Sequence, residues 1–284
     1  MADTLLTVKN LSMRFGGLKA LKAINMTIQA ETITALIGPN GAGKTTLFNC
    51  LTGFYKATGG ELIFLLNSTP YNLKKLLGDQ FHVTHLLRPD ALLKCLYFKM
   101  FGGSHQVAKL GIARTFQNIR LFREMTVLEN LLVAQHRFAN RNLISGLLNL
   151  PSFTKWEKEA IELAFNWLDV FHLSDEANKL AGELPYGKQR HLEIARAMCT
   201  QPILLCLDEP AAGLNPQETA ELSKIIINLR NQYKISILLI EHDMSMVMNI
   251  SDHVIVLDHG EVIADGVPTE VRNNPKVIEA YLGV

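Results

Sequence analysis

The most distinctive stretch of the sequence is a glycine-rich segment that ends in Lys44 and Thr45. It fits the pattern G-x-x-x-x-G-K-[ST], follows an apolar run at 33–37 and precedes residues that can continue as a helix. Glycines let such a loop turn its backbone N–H groups toward an anion, and the helix adds the positive end of its dipole. The Lys44 ammonium can reach the β- and γ-phosphates, and the Thr45 hydroxyl can ligate Mg²⁺. We therefore predict a nucleotide-phosphate site made of Gly38, Pro39, Asn40, Gly41, Ala42, Gly43, Lys44, Thr45 and Thr46.

Two adjacent carboxylates follow a second apolar run, at residues 203–207. At the carboxyl end of a strand, Asp208 is placed to face the Mg²⁺ held by Thr45, directly or through water, and Glu209 to polarise an attacking water. The alternative is an acidic pair at a helix N-terminus, where carboxylates are also favourable. His242 ends another apolar run, where a histidine on its own is usually a hydrogen-bonded structural residue. Beside a phosphate loop, we interpret the carboxylate pair as catalytic.

The elements that must position these residues are those of an α/β protein. Residues 5–15 and 21–28 carry alternating apolar positions, and we interpret them as antiparallel strands joined at Gly16-Gly17. Phe15 closes the first strand, where its ring could stack on a base or fill the core. The later apolar runs do not alternate, which is typical of a parallel sheet that is covered on both faces.

The middle of the chain is predicted to be helical, and the end returns to strands. Within 118–182, Thr126 and Glu129 form a capping box, and apolar residues recur at helical spacing over 156–171. Further on, Asp258-His259-Gly260 between two apolar runs indicates a β-hairpin.

Residues 66–103 fit no regular pattern. Between Lys74 and Lys99 there are five lysine or arginine residues against two aspartates. An apolar, basic segment of this kind could bind a membrane surface or a partner, and the alternative is a solvated excursion from the domain. His82 and His85 could suggest a metal site, but no third ligand is evident.

Composition limits the possible functions. The 284 residues are 48 % hydrophobic and 19 % charged, which predicts one large α/β domain or two small ones with a sizeable core. A net charge of +1 gives no argument for a nucleic-acid partner. No apolar run approaches the ~18 residues of a membrane span and no signal-peptide core is evident, so we expect a cytosolic or peripheral membrane protein. The four cysteines include no C-x-x-C pair and are expected to be buried reduced thiols.

Taken in their order along the chain, these motifs resemble those of the ATP-binding subunits of ABC transporters, and the resemblance covers nearly the whole chain. Segments 115–122, 210–216 and 274–283 are similar to the LivG-like branch, which serves branched-chain amino-acid uptake. The resemblance implies a role for each matching residue. Phe15 would stack on the base, Gly38–Thr45 would be Walker A, and Gln117 would be the Q-loop glutamine that senses Mg²⁺ and the γ-phosphate. Asp208 would end Walker B, Glu209 would be the general base, Gly213–Asn215 the D-loop and His242 the switch histidine, and the signature would consist of Leu184, Pro185, Tyr186, Gly187 and Lys188.

The implied fold is an α/β P-loop NTPase core with an antiparallel β subdomain and a helical subdomain. Residues 1–284 would form a single ABC ATPase domain, with a core lobe at about 1–117 and 186–284 and a helical lobe at about 118–185. The implied cofactors are ATP and Mg²⁺, and the implied metal ligands are Thr45, Gln117 and Asp208.

The resemblance also implies an assembly. Each ATP would lie between Walker A of one subunit and the signature of a second ATP-binding subunit, in a head-to-tail heterodimer. This dimer would lie on the cytoplasmic face of the membrane, bound to integral-membrane permease subunits, in a system that includes an extracytoplasmic substrate-binding protein. A soluble ABC ATPase of DNA repair or translation is the alternative, but the sequence has no coiled-coil insertion, zinc cysteines or second cassette. A P-loop kinase would lack the signature, and Glu209 and His242 argue against a non-hydrolysing module.

Two features depart from the family pattern. The signature reads Leu-Pro-Tyr-Gly-Lys instead of Leu-Ser-Gly-Gly-Gln, so Pro185 removes a hydroxyl and a backbone N–H that could meet the γ-phosphate. The Gly187 N–H, the helix N-terminus and the Lys188 charge remain for that contact. The other departure is segment 66–103, about thirty residues longer than the usual connection, which we expect to be poorly packed and dispensable for nucleotide binding.

Overall fold

The computed structural model describes residues 3–77, 103–138 and 151–282. The predictions for His82, His85 and Cys95 lie outside these residues, as does most of the basic segment. No helix within the described ranges is long and apolar enough to cross a membrane.

The strands of the described residues form two sheets. In chain order they are β1 (Thr4–Phe15), β2 (Leu18–Gln29), β3 (Ile33–Ile37), β4 (Gly59–Leu66), β5 (Thr69–Asn72), β6 (Ile112–Arg114), β7 (Leu204–Asp208), β8 (Ser236–Ile240), β9 (His253–Asp258) and β10 (Glu261–Gly266). The antiparallel sheet has the order β2-β1-β4-β5, and the second sheet has the order β10-β9-β3-β8-β7-β6. In the second sheet β6, β7, β8, β3 and β9 are parallel, and β10 returns antiparallel to β9.

The central strands of the second sheet are fully buried, as is typical of parallel strands. Every residue of β3, β7 and β8 is buried, as the apolar runs without alternation predicted. The carboxyl ends of β3 and β7 flank that of β8, so the loop after β3 and Asp208 at the end of β7 lie at one edge of the sheet.

Helices pack against the two sheets, and some of them begin at a side-chain cap. They are α1 (Lys44–Leu51), α2 (Leu73–Leu76), α3 (Ser104–Lys109), α4 (Val127–Ala134), α5 (Pro151–Val170), α6 (Tyr186–Met198), α7 (Pro216–Tyr233), α8 (Met244–Ile250), α9 (Pro268–Arg272) and α10 (Pro275–Leu282). The predicted capping box at the start of α4 is confirmed, because the Thr126 hydroxyl accepts the Glu129 N–H and the Glu129 carboxylate accepts the Thr126 N–H. Asn215 and Glu218 form a second capping box at α7.

The helical segment packs directly on the sheet. Helices α4, α5 and α6 contact one another and share a hydrophobic cluster with residues of β7 and β8. Trp167 is 7 % exposed and lies against Phe171 and Tyr233, so it belongs to the packing face of α5. Among the described residues, these helices therefore share one hydrophobic core with the sheet.

The expectation that 66–103 is poorly packed is wrong for its first part. Strand β5 pairs with β4, and Leu73 in α2 is fully buried in the core cluster. The connection is a tight hairpin turn at Asn67-Ser68, whose φ angles of 48° and 63° match a type I′ turn. Sequence reasoning did not recognise this turn, because Asn-Ser is a weaker signal than Asn-Gly. Residues 78–102 lie outside the described residues.

Three of the cysteines behave as predicted. Cys50, Cys199 and Cys206 are free and buried, and burial raises the pKa of each thiol to about 12. They are therefore inert core residues.

Candidate nucleotide-binding site

The phosphate loop connects β3 to α1 in a shape that only glycine allows at three points. Gly38, Gly41 and Gly43 have φ angles of 146°, 82° and 103°. A Cβ atom on Gly38 would lie 2.0 Å from the Leu257 carbonyl oxygen, so no larger residue fits there.

The N-terminus of α1 is open to an anion. Gly43 is the N-cap residue and provides no side-chain cap, and the first turn holds no acidic residue. The first N–H groups of a helix have no partner within it. An uncapped N-terminus behind a glycine cradle fits a nucleotide phosphate.

Lys44 lies at the base of this loop. Its side chain is buried, and Nζ donates hydrogen bonds to the carbonyl oxygens of Gly38 at 2.7 Å and Pro39 at 3.0 Å. Burial lowers the pKa of Lys44, and the negative charge of Glu209 opposes that shift. A bound phosphate would favour the ammonium form in the same way, as the role predicted for Lys44 requires.

A cleft of about 590 Å³ opens in front of the loop. Phe15 stands at its side, 43 % exposed, with its ring edge-on to Tyr55 at a centroid distance of 5.4 Å. An exposed ring at this place fits a stacking contact with a base better than a core position. Besides the loop, the lining residues are Phe15, Leu18, Lys19, Ala20, Lys22, Gln117, Glu209, His242 and His259.

Three predicted residues from distant parts of the sequence meet at one carboxylate. The Gln117 amide donates a hydrogen bond to Glu209 Oε2 at 2.8 Å, and His242 Nε2 lies 2.9 Å from Glu209 Oε1. Glu209 has a φ of 48°, a left-handed conformation that is held by a hydrogen bond from its N–H to the Ile240 carbonyl. Strained backbone of this kind is common at functional sites.

Asp208 lies beneath the cleft and does not line it in this conformation. It is 5 % exposed, and Oδ2 accepts a hydrogen bond from Arg114 Nη2 at 3.1 Å. Burial raises the pKa of Asp208, and the Arg114 guanidinium opposes this rise. Arg114 also lies 4.6–5.0 Å from the ring centroids of Phe48, Phe54 and Phe116.

The donor set fits Mg²⁺ bound together with a nucleotide. Mg²⁺ prefers oxygen ligands and usually keeps waters and substrate phosphates in its shell. Thr45, Gln117 and Asp208 offer hydroxyl, amide and carboxylate oxygens, and the residues that the structure describes contain no group of three or more histidine, cysteine or acidic side chains that could hold a metal alone. The phosphates would have to complete the shell.

The signature residues lie elsewhere on the chain. None of Leu184, Pro185, Tyr186, Gly187 and Lys188 lines the cleft. Pro185 is the N-cap residue of α6, with no side-chain cap. The Lys188 ammonium, which we expected to be available for a phosphate, instead pairs with the Glu176 carboxylate. Because the Lys188 side chain is 42 % exposed, a phosphate would compete with Glu176 for its charge.

Sequence reasoning missed several cations around the site. Lys19 and Lys22 line the cleft from β2, and Arg114 holds Asp208 from below. Their signal was weak, because single basic residues next to a strand or a motif are common on any protein surface.

Comparison with known proteins places this site in a family. The chain matches the family model for ABC transporters over residues 21–212 and that for branched-chain amino acid ATP-binding cassette transporters over residues 261–284. It is 51 % identical over 283 residues to the high-affinity branched-chain amino acid transport ATP-binding protein LivG of Escherichia coli, covering 100 % of this chain and 99 % of that protein. It is 48 % identical, with the same coverage, to the corresponding protein BraF of Pseudomonas aeruginosa.

Solved structures agree with the sequence relatives. A crystal structure of an ATP-binding cassette of an ABC transporter in its ADP conformation matches with a TM-score of 0.74 and 32 % identity, covering 99 % of both chains. A nucleotide-free cassette gives the same TM-score and identity. The predicted P-loop NTPase fold with antiparallel and helical parts is thereby confirmed. Since family models, full-length relatives and structures agree, the chain belongs to the ATP-binding cassettes of ABC transporters, in their branched-chain amino acid branch.

Proposed function

We propose that this chain binds and hydrolyses ATP to drive an importer of branched-chain amino acids. The observation that carries the proposal is the meeting of Gln117, Glu209 and His242 beside the phosphate loop. The transported class is supported by the names of the relatives, which are branched-chain amino acid transport proteins.

The hydrogen bonds of Glu209 suggest how hydrolysis is controlled. Mg²⁺ bound with ATP would neutralise phosphate charge and be held by Thr45, Asp208 and Gln117. When the Gln117 amide turns toward that site, Glu209 Oε2 loses its hydrogen bond and is free to accept a proton from water. His242 keeps the other carboxylate oxygen in place. Gln117 would thus hold the base inactive until the nucleotide arrives.

The site needs a second subunit. The signature does not line the cleft of its own chain, so in a head-to-tail dimer it would complete the site of the partner. The Gly187 N–H and the start of α6 are the groups this chain would present, and Lys188 is occupied by Glu176. Because Pro185 lacks the hydroxyl of the usual serine, we propose a heterodimer with two unequal ATP sites.

A second cleft suggests where permease subunits bind. It has a volume of about 320 Å³ and opens between the Q-loop and the helical segment. Phe54, Phe116 and Ala134 make part of its wall apolar, and Arg137 adds a positive charge. We propose that a cytoplasmic segment of a permease enters here, which would place the chain on the cytoplasmic face of the membrane in a system with an extracytoplasmic binding protein.

Copurification and transport test the proposal. The chain, expressed with its neighbouring membrane subunits, should copurify with them, as identified by mass spectrometry. In proteoliposomes, leucine-loaded binding protein should raise ATP hydrolysis, and Glu209→Gln should abolish leucine uptake while Glu159→Gln, an exposed carboxylate on α5, should not. Full ATP turnover that needs no membrane partner and ignores branched-chain amino acids would instead support the soluble alternative, which the full-length relatives do not favour.

A further inference from the structure

Arg190 carries a charge in the interior of the chain. It lies on α6, is 0 % exposed and is the largest fully buried side chain among the described residues. Its Nη1 donates to Glu193 Oε2 at 2.8 Å and to the Phe116 carbonyl oxygen at 2.9 Å. Its Nη2 donates to the Gln117 carbonyl oxygen at 2.9 Å and to the Tyr186 hydroxyl at 3.3 Å.

Glu193, the carboxylate partner of Arg190, also binds the Q-loop backbone. Its side chain is 1 % exposed, and Oε1 accepts the N–H groups of Phe116 and Arg120, each at 3.4 Å. The ion pair therefore hydrogen-bonds to the Q-loop backbone on both sides: Arg190 donates to its C=O groups, and Glu193 accepts from its N–H groups. A guanidinium offers two parallel donors in a rigid plane, which a lysine cannot reproduce.

Stability alone does not explain this pair. A buried ion pair is often no more stabilising than apolar residues of similar volume. In addition, Arg190 Nε has no hydrogen-bond partner among the described residues, a destabilising feature in a buried site. Such a feature calls for a role in placing the groups that Arg190 does contact.

We infer that Arg190 is a positioning residue that fixes Gln117 to the signature helix, an inference that rests on the function proposed for Gln117. The backbone held by Arg190 belongs to the residue whose amide meets Glu209. With the backbone anchored, the amide can exchange between Glu209 and the Mg²⁺ site by side-chain rotation alone.

The same guanidinium reaches the signature and the D-loop. Tyr186 receives a hydrogen bond from Arg190, and its ring packs on Gly213, where a Cβ atom would lie only 3.1 Å from Tyr186 Cε1. Gly213 also has a φ of 81°, a conformation that favours glycine. Displacement of Tyr186 by ATP in the partner site would therefore be transmitted through Arg190 to Gln117 and Glu209 of this chain.

The experiment compares ATP hydrolysis in four forms of the full chain, each assembled with its partner subunits. These are the wild type, Gln117→Ala, the paired variant Arg190→Met with Glu193→Met, and the combination of all three substitutions. The paired variant leaves no unpaired buried charge, but the Q-loop backbone groups lose their partners, so we expect a lower melting temperature in a chain that still folds. Arg230→Met, which removes the partly exposed ion pair between Arg230 on α7 and Asp252, is the control and should keep the wild-type kcat.

The paired variant should lower kcat roughly ten- to a hundredfold, the scale expected for a misplaced group, with KM for ATP within about threefold of wild type because the phosphate loop is untouched. The triple combination should be no slower than Gln117→Ala, since Arg190 acts through Gln117. A wild-type kcat in the paired variant, or losses that multiply in the combination, would overturn the inference.

Comparing Gln117→Ala with the paired variant separates the possible failures. If Gln117→Ala alone leaves kcat unchanged, the function proposed for Gln117 is wrong and this inference falls with it. If Gln117→Ala lowers kcat but the paired variant does not, only the role of Arg190 is wrong. If the paired variant does not fold, Arg190→Lys takes its place, because lysine keeps a positive charge beside Glu193 but lacks the planar guanidinium. This variant should show the same loss of kcat. A wild-type kcat in Arg190→Lys would also overturn the inference.

Discussion

Arg114→Met should destabilise the chain by about 3 kcal/mol, because it leaves Asp208 as an unpaired charge. The side chains of the pair are 11 % and 7 % exposed, and the two groups are 3.1 Å apart. Breaking a buried pair from one side costs about 3–5 kcal/mol. Methionine keeps part of the contact with the surrounding phenylalanine rings, so we expect the lower end of that range.

The assay is the melting temperature of the nucleotide-free chain. At about 2–4 °C per kcal/mol for a chain of this size, the expected decrease is roughly 6–12 °C. Arg230→Met is the matched control: the Arg230–Asp252 pair is 3.4 Å apart with side chains 29 % and 34 % exposed, and such a pair contributes about 0–1 kcal/mol. Adding Asp208→Asn to Arg114→Met should recover most of the loss, because it removes the unpaired charge.

The pH dependence has a defined sign. Burial already raises the pKa of Asp208 above its usual range, and loss of Arg114 removes the group that opposes the rise. A carboxyl whose pKa is higher in the folded state binds a proton more readily there, so folding is favoured as the pH falls through that pKa. The stability deficit of Arg114→Met should therefore shrink at acidic pH. A decrease in melting temperature no larger than that of Arg230→Met, or no recovery with Asn at 208, would refute this reasoning.

Four other outcomes are expected. Glu209→Gln should keep ATP binding and lower hydrolysis by about two or more orders of magnitude, measured as phosphate release with the partner subunits present; near-normal turnover would place the base elsewhere. Lys44→Ala should weaken ATP binding roughly ten- to a hundredfold by calorimetry, as expected for a lost bond to a charged group, and an unchanged Kd would remove the loop from the site. Leu73→Ala should lower the free energy of unfolding by about 2–5 kcal/mol, since Leu73 is fully buried; a change under about 1 kcal/mol would restore the view of this segment as an excursion. With the chain's own site silenced by Glu209→Gln, Pro185→Ser should raise the residual hydrolysis at the partner's Walker A, and no rise would mean that the Gly187 N–H suffices or that the dimer is not head to tail.

Much of the site was predictable because its signals are local. The phosphate loop is a run of adjacent residues whose glycines allow an unusual backbone, and three of them have positive φ angles. Apolar runs in the sequence predicted strands β3, β7 and β8, and the capping box at Thr126 is formed by residues three apart. The convergence of Gln117, Glu209 and His242 was inferred from a family resemblance, and their spacing in the sequence did not show it.

The cations that hold the site together could not be found in this way. Arg114 and Asp208 are 94 residues apart, and Arg190 binds a carbonyl 74 residues away. Nothing in the sequence distinguishes these arginines from solvent-exposed ones. The hairpin turn at Asn67-Ser68 was also missed, because a two-residue turn is recognised only when the pairing of its strands is known.

The amino-acid sequence by itself determined the elements and the chemistry, since glycine cradles, apolar periods and caps act over a few residues. The tertiary structure decided which charges are buried and what they touch. It paired Asp208 with Arg114 and Lys188 with Glu176, and it placed Arg190 in hydrogen-bonding contact with the Q-loop backbone. The reason is physical: desolvation and pairing depend on neighbours that folding brings together from distant parts of the chain, and a charge has no fixed energy until those neighbours are in place.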